Sequence, residues 1–213
     1  WPRSHWLELV NKNRDYTPEI LKEKPLFANF ISSHESEFNI RGDFFKALCN
    51  YKRVESAGTY LNNMPNGETV NWLDDSKANL QKKCKFTLCF ESTLHYGFVT
   101  EKLMDAFFTD TIPVYYGSPT AAEIFNKDAF INVADYPSFE EAIAKIIELD
   151  QDDEKYLQML EAAYECLDGV VLWAHGRDAD NKTKVSWDDE RVQAIYRAIK
   201  TFTSRHSITN QHQ

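Results

Sequence analysis

The chain has 213 residues, 43% hydrophobic and 14% aromatic, which is enough apolar material for one sizeable core or two small ones. Its formal net charge of -9 argues against nucleic acid as a partner, because phosphate backbones require an extended basic surface, so an anionic ligand must meet a local basic pocket. Four cysteines, Cys49, Cys84, Cys89 and Cys166, are too sparse for a disulfide framework and form no CxxC pair, so they read as reduced thiols.

In chain order, the opening run WPRSHWLELVNKNRDYTPEILKEK does not follow the rhythm of what comes after and reads as a linker or the end of a preceding domain, residues 1–24. Between residues 26 and 147 short apolar runs alternate with helical patterns. That predicts βα units and an α/β fold, a Rossmann-like parallel sheet with helices on both faces, over residues 25–167. LFANFI, residues 26–31, is the first strand, followed by a polar loop and a helix over 41–51 with Phe44, Phe45 and Leu48 inward. Residues 53–56 read as a short strand, 58–67 as loop, 74–83 as a polar helix and 86–90 as an apolar strand.

Val99, Leu103, Ala106 and Phe107 share one helical face, so a helix begins near residue 100, with Glu101 and Lys102 in its first turn. Residues 112–116 form the next strand, 118–125 a turn with a short helix, and 130–133 a further strand. Ser138 and Glu141 have capping-box spacing ahead of Ala142, Ile143, Ile146 and Ile147, which predicts a helix starting at Ser138. Another helix spans 152–166. The C-terminal part, 168–213, reads as a polar loop to residue 184, a helix over 188–202 and a frayed tail. No apolar stretch approaches the roughly 20 residues of a membrane span and no signal peptide is visible, so the expected setting is soluble and cytoplasmic, at most peripheral to a membrane.

In open α/β sheets ligands bind beyond the carboxyl ends of the strands, here the loops 32–40, 91–97 and 117–120. The first delivers Arg41 and the second Lys102, each at a helix start, where unpaired N–H groups favour an anion. A cation is mildly unfavourable at that end unless an anion such as a diphosphate offsets it. Lys102 as a solvated side chain, and Arg41 bonded only to carbonyls, are the alternatives. Asp178 and Asp180 have the D-x-D spacing of metal-dependent sugar-nucleotide sites, but no apolar strand leads into their loop. His34 and His95 lie on site loops without metal spacing. GxGxxG, P-loop and GxSxG elements are absent from the sequence.

The run CFESTLHYGFVTEKLMDAFFTDTIPVYYGSPTAAEIFNKDAFINVADYPSFEEAIAKI, with its YGxxTEK and PxxYGSP elements, resembles the C-terminal half of bacterial-type α-1,3-fucosyltransferases. The resemblance extends back through FANFISSHESEFNIRGDFFKALCNYKRVESAG and covers roughly residues 27–164. It implies the C-terminal half of a GT-B glycosyltransferase, two Rossmann-like domains facing a cleft. The implied reaction moves fucose from GDP-fucose, with inversion, to a GlcNAc or lactosamine-type acceptor hydroxyl of the kind found in Lewis antigens. It places phosphate-binding roles on Arg41 and Lys102, a sugar-hydroxyl contact on Glu101, and Glu91, Ser92, Tyr96 and Phe98 in the donor site. The family commonly has Tyr where Phe98 stands and Asn where Ser92 stands, so a hydroxyl and an amide contact are lost here. The general base is expected from an N-terminal acceptor domain, and with two cations at the diphosphate no metal or other cofactor is required.

Overall fold

The computed structural model describes residues 16–36, 39–71 and 74–174. The chain divides into two units, residues 12–164 and residues 1–11 with 165–213; the sheet and the candidate site lie within the first. In chain order the elements are β1 (Leu26–Phe30), α1 (Ile40–Cys49), β2 (Val54–Ser56), α2 (Ser76–Lys82), β3 (Cys84–Phe90) and α3 (Glu101–Phe108). They continue as β4 (Ile112–Tyr116), α4 (Ala121–Ile124), β5 (Ile131–Asn132), α5 (Phe139–Gln151) and α6 (Asp153–Ala174).

All four pairings in the sheet are parallel and its order is β2-β1-β3-β4-β5. The chain therefore winds outward from β1 to β2, then returns past β1 to β3 and runs on to β5. The order reverses between β1 and β3, and the carboxyl ends of these two strands diverge into loops that leave opposite faces, opening a crevice.

Strand alternation sorts the side chains into two cores. Phe30, Phe86, Phe90 and Val114 pack with Phe44 and Leu48 of α1, Ile146 and Leu149 of α5 and Tyr156 of α6, all buried. Phe44 lies 5.1 Å from Phe90 and 5.2 Å, edge-on, from Phe139, so α1 is pressed between the sheet and α5 by ring contacts. On the other side Cys89 and Tyr115 are buried with Leu103, Ala106 and Phe107 of α3. Burying each such side chain is worth about 1.5–3 kcal/mol, and this two-sided burial explains why the strands read as continuous apolar runs.

The α/β expectation is met: the strand at 112–116 has the expected limits and β3 begins two residues early, at Cys84. Ser138 caps α5, its hydroxyl accepting from Glu141 N at 3.4 Å. The segment from 168, expected as loop, is instead helical as far as Ala174. Its first residues after Asp168 are GVVLWA, and apart from Gly169 they contain no helix breaker. Residues 16–24 are tied to the sheet unit. Tyr16 Oη donates to Asp110 Oδ1 at 3.0 Å, and buried Lys24 donates to the carbonyls of Lys82 and Thr109 at the ends of α2 and α3. The helix expected over 188–202 and the D-x-D pair lie outside the described residues.

Candidate functional site

Arg41 sits in the first turn of α1, and its residue is 4% exposed. Nη1 donates to Ser32 Oγ and to His34 O, both at 3.1 Å, while Nη2 donates to Phe90 O at 2.9 Å. The guanidinium thus spans the ends of β1 and β3 at the point where strand order reverses. Nε is buried with no partner among the described residues. Burial holds the Arg41 pKa below its ordinary value, with the charges of Glu91 and Glu35 acting in the opposite sense. An arginine remains charged throughout.

The loop that presents Arg41 is itself fastened. Glu35 accepts from Ser36 N at 2.7 Å and from Gly42 N at 3.1 Å, serving the amide end of α1, and it accepts a short hydrogen bond from Tyr60 Oη. Burial alone would raise the Glu35 pKa, but the bonds from Tyr60, Ser36 and Gly42 outweigh it and bring the pKa below the usual value.

On the β3 side, Glu91 is the residue after the strand, and its side chain is fully buried. Its carboxylate accepts from Thr100 N at 2.8 Å and from the Thr100 hydroxyl, and it pairs with Lys102 Nζ at 3.1 Å. Lys102 Nζ also donates to Thr100 Oγ1 at 2.8 Å, closing a three-membered ring of Glu91, Thr100 and Lys102. Thr100 is the N-cap residue of α3, yet its side chain makes no capping bond to the helix amides; its hydroxyl instead donates to Glu91 and accepts from Lys102 Nζ. Glu101 points outward, 58% exposed, with Oε1 3.8 Å from Lys102 Nζ.

Between these anchors the loop 92–99 projects apolar rings. Tyr96 is 77% and Phe98 37% exposed. Gly97 has φ of 77°, a left-handed conformation suited to glycine, and its N–H donates to Ser118 Oγ at 3.0 Å. Gly117 lies so close to Glu91 that an added Cβ would meet Glu91 Cγ at 2.6 Å. A cleft at this end of the sheet is lined by Ser36 and Ile40 from one loop, Glu91, Ser92 and Leu94 from the second, and Tyr116.

The structure therefore gathers the three expected loops around one crevice. It joins Lys102 directly to Glu91 and Glu101, and sets Arg41 against Phe90, the neighbour of Glu91. Ser92 is half-buried on the cleft wall, while Tyr96 and Phe98 face solvent. Sequence reasoning missed Thr100 and Ser118 as the two hydroxyls that position the β3–α3 loop. The threonine one residue before the helix was a visible N-cap signal. Among the described residues no three His, Cys, Asp or Glu side chains come together as a metal site.

The sequence profile of glycosyltransferase family 10 (fucosyltransferase), C-terminal part, matches residues 21–166. The chain belongs to glycosyltransferase family 10. Within the family it is 40% identical over 148 residues to alpha-(1,3)-fucosyltransferase FucT of Helicobacter pylori, covering 69% of this chain and 30% of that protein. It is 37% identical over 94 residues to human 4-galactosyl-N-acetylglucosaminide 3-alpha-L-fucosyltransferase 9, covering 43% of this chain and 25% of the relative. Among solved structures, an alpha1,3-fucosyltransferase superposes with a TM-score of 0.61 at 38% identity, covering 74% of this chain and 41% of the other. The same score is reached with an alpha1,3-fucosyltransferase crystallised with GDP-fucose, over 43% of that chain. The chain thus spans less than half the length of these family 10 proteins, and its fold is that of the C-terminal Rossmann-like half of a GT-B fucosyltransferase.

Proposed function

We propose that this chain is the donor-binding part of an inverting fucosyltransferase that moves L-fucose from GDP-fucose to a GlcNAc or lactosamine-type hydroxyl in α-1,3 linkage. The single observation that carries this reading is the placement of two cations, Arg41 and Lys102, in the first turns of the helices that follow adjacent strands, at the point where the strand order reverses. Membership of family 10 supplies the donor class, since a solved relative holds GDP-fucose.

In this reading Arg41 and Lys102 neutralise the departing diphosphate as the anomeric carbon passes through an oxocarbenium-like transition state. Glu101, the exposed carboxylate beside Lys102, hydrogen-bonds hydroxyls of the fucose. Ser92, Tyr96 and Phe98 flank the donor. The proton of the acceptor hydroxyl goes to a general base outside this chain, opposite the leaving group, which yields inversion in one displacement. With two protein cations on the diphosphate, turnover proceeds without a bound metal. The unpaired thiols of Cys49, Cys84 and Cys89 suit a cytoplasmic setting; no helix among the described residues is long and apolar enough to cross a membrane.

The second reading is a nucleotide-sugar-binding half without turnover of its own, favoured by the 30% of the Helicobacter relative that the chain spans. Incubation with GDP-fucose and N-acetyllactosamine, followed by NMR of the product anomeric proton, decides between them. With an acceptor domain added to supply the base, an α-linked fucose supports the transferase reading, binding without product supports the half-site, and transfer from another nucleotide sugar alone refutes GDP-fucose as donor.

A further inference from the structure

Lys102 is already paired within the protein. Its ammonium donates to Glu91 Oε2 at 3.1 Å and to Thr100 Oγ1 at 2.8 Å, which accounts for two of its three N–H groups. Glu91 is fully buried and held in place independently of the lysine, by the N–H and hydroxyl of Thr100 and by Gly117 packed against its Cγ. A buried carboxylate cannot turn away into water when a diphosphate arrives, so the incoming anion and Glu91 compete for one ammonium.

We propose that Glu91 is a built-in competitor of the diphosphate, a positioning residue that tempers affinity for nucleoside diphosphates through Lys102 and so hastens release of the product nucleotide. The proposal rests on the reading of Lys102 as a diphosphate contact. Two effects oppose each other when Glu91 is neutralised. The lysine loses part of its preset orientation, which weakens binding, while a full negative charge one ion-pair distance from the ammonium disappears, which strengthens it. The charge effect is the larger, because Coulomb interactions at this range in a partly buried site exceed the rotamer entropy of one lysine chain. Glu91→Gln isolates it, since the amide oxygen still accepts from the Thr100 N–H and hydroxyl and α3 keeps its starting point.

The test is calorimetric titration of the full chain with GDP, comparing the native protein, Glu91→Gln and Lys102→Ala, with stopped-flow measurement of GDP release. Glu91→Gln should bind GDP about tenfold tighter and release it more slowly. A damaged or merely loosened site gives weaker binding, so a gain cannot arise from structural harm. Unchanged or weaker binding by folded Glu91→Gln, alongside weakened Lys102→Ala, overturns the competition while leaving the diphosphate site standing. Unchanged affinity of Lys102→Ala removes the underlying reading, and the competition with it. Should Glu91→Gln not fold, the Glu91 carboxylate carbon of the native chain, assigned through its backbone, reports by NMR. Its resonance should move as GDP withdraws Lys102, and a resonance that stays fixed at saturation overturns the proposal.

Discussion

Arg41 Nη2 donates to the carbonyl of Phe90 at 2.9 Å, across 49 residues of sequence. One bond thereby ties the first turn of α1 to the last residue of β3, and the same guanidinium holds Ser32 and His34 beyond β1. The cation sits at the base of the crevice as part of its frame, with its Nε directed to no acceptor among the described residues.

Arg41→Lys should destabilise the fold even without ligand. A single ammonium cannot bridge Ser32, His34 and Phe90 as a planar fork does, and each buried acceptor left unpaired costs about 1–3 kcal/mol. Urea unfolding should show a lower midpoint; an unchanged midpoint would mean that the guanidinium does not brace the crevice.

Lys102→Ala should weaken GDP binding by about 1–3 kcal/mol, the scale of a charge-assisted hydrogen bond. It also strands the buried Glu91 carboxylate, so the melting temperature should fall together with affinity. Calorimetry and thermal unfolding on the same preparation check both.

Alkaline stability should depend on Tyr60. The hydrogen bond to Glu35, aided by burial, pushes the Tyr60 pKa up to about 12. Because the folded value exceeds that of the unfolded chain, near 10, the contribution is complete below about pH 10 and lost as pH rises through about 12. Urea midpoints between pH 9 and 12 should fall less steeply in Tyr60→Phe than in the native chain. Parallel profiles would show that the Tyr60–Glu35 bond contributes nothing to this dependence.

Gly117→Ala should cost about 1–3 kcal/mol, since the new methyl meets the Tyr115 hydroxyl and Glu91 Cγ in a packed corner. A melting temperature equal to the native one would mean that the corner relaxes freely.

Treatment with EDTA should leave GDP binding intact. A large loss reversed by Mn2+ would turn attention to Asp178 and Asp180.

The sheet was legible because buried parallel strands are apolar throughout, so LFANF, CKFTLCF and IPVYY stand out from their polar connections. Ser138 was legible as a cap because capping is local chemistry. The position of Arg41 and Lys102 at helix starts was legible for the same reason. Their partners were not, because the bonds from Arg41 to Phe90 and from Gly97 to Ser118 depend on which strands lie side by side. The ring of Glu91, Thr100 and Lys102 joins residues at most 11 positions apart, yet it stayed hidden because it requires a turn at Gly97 that brings the loop back over the strand end. The helix past residue 168 was missed because the segment 168–184 reads as polar taken whole, whereas its first residues, GVVLWA, are apolar and continue the helix.

The most direct test of a preformed GDP-fucose half-site is calorimetric titration of the 213-residue chain with GDP, GDP-fucose, GDP-mannose and UDP-galactose. Preferential binding of GDP and GDP-fucose is the expected result, with UDP-galactose binding far more weakly. Equal binding of all four, or tighter binding of UDP-galactose, would contradict the assignment of Arg41 and Lys102 to a GDP-fucose site.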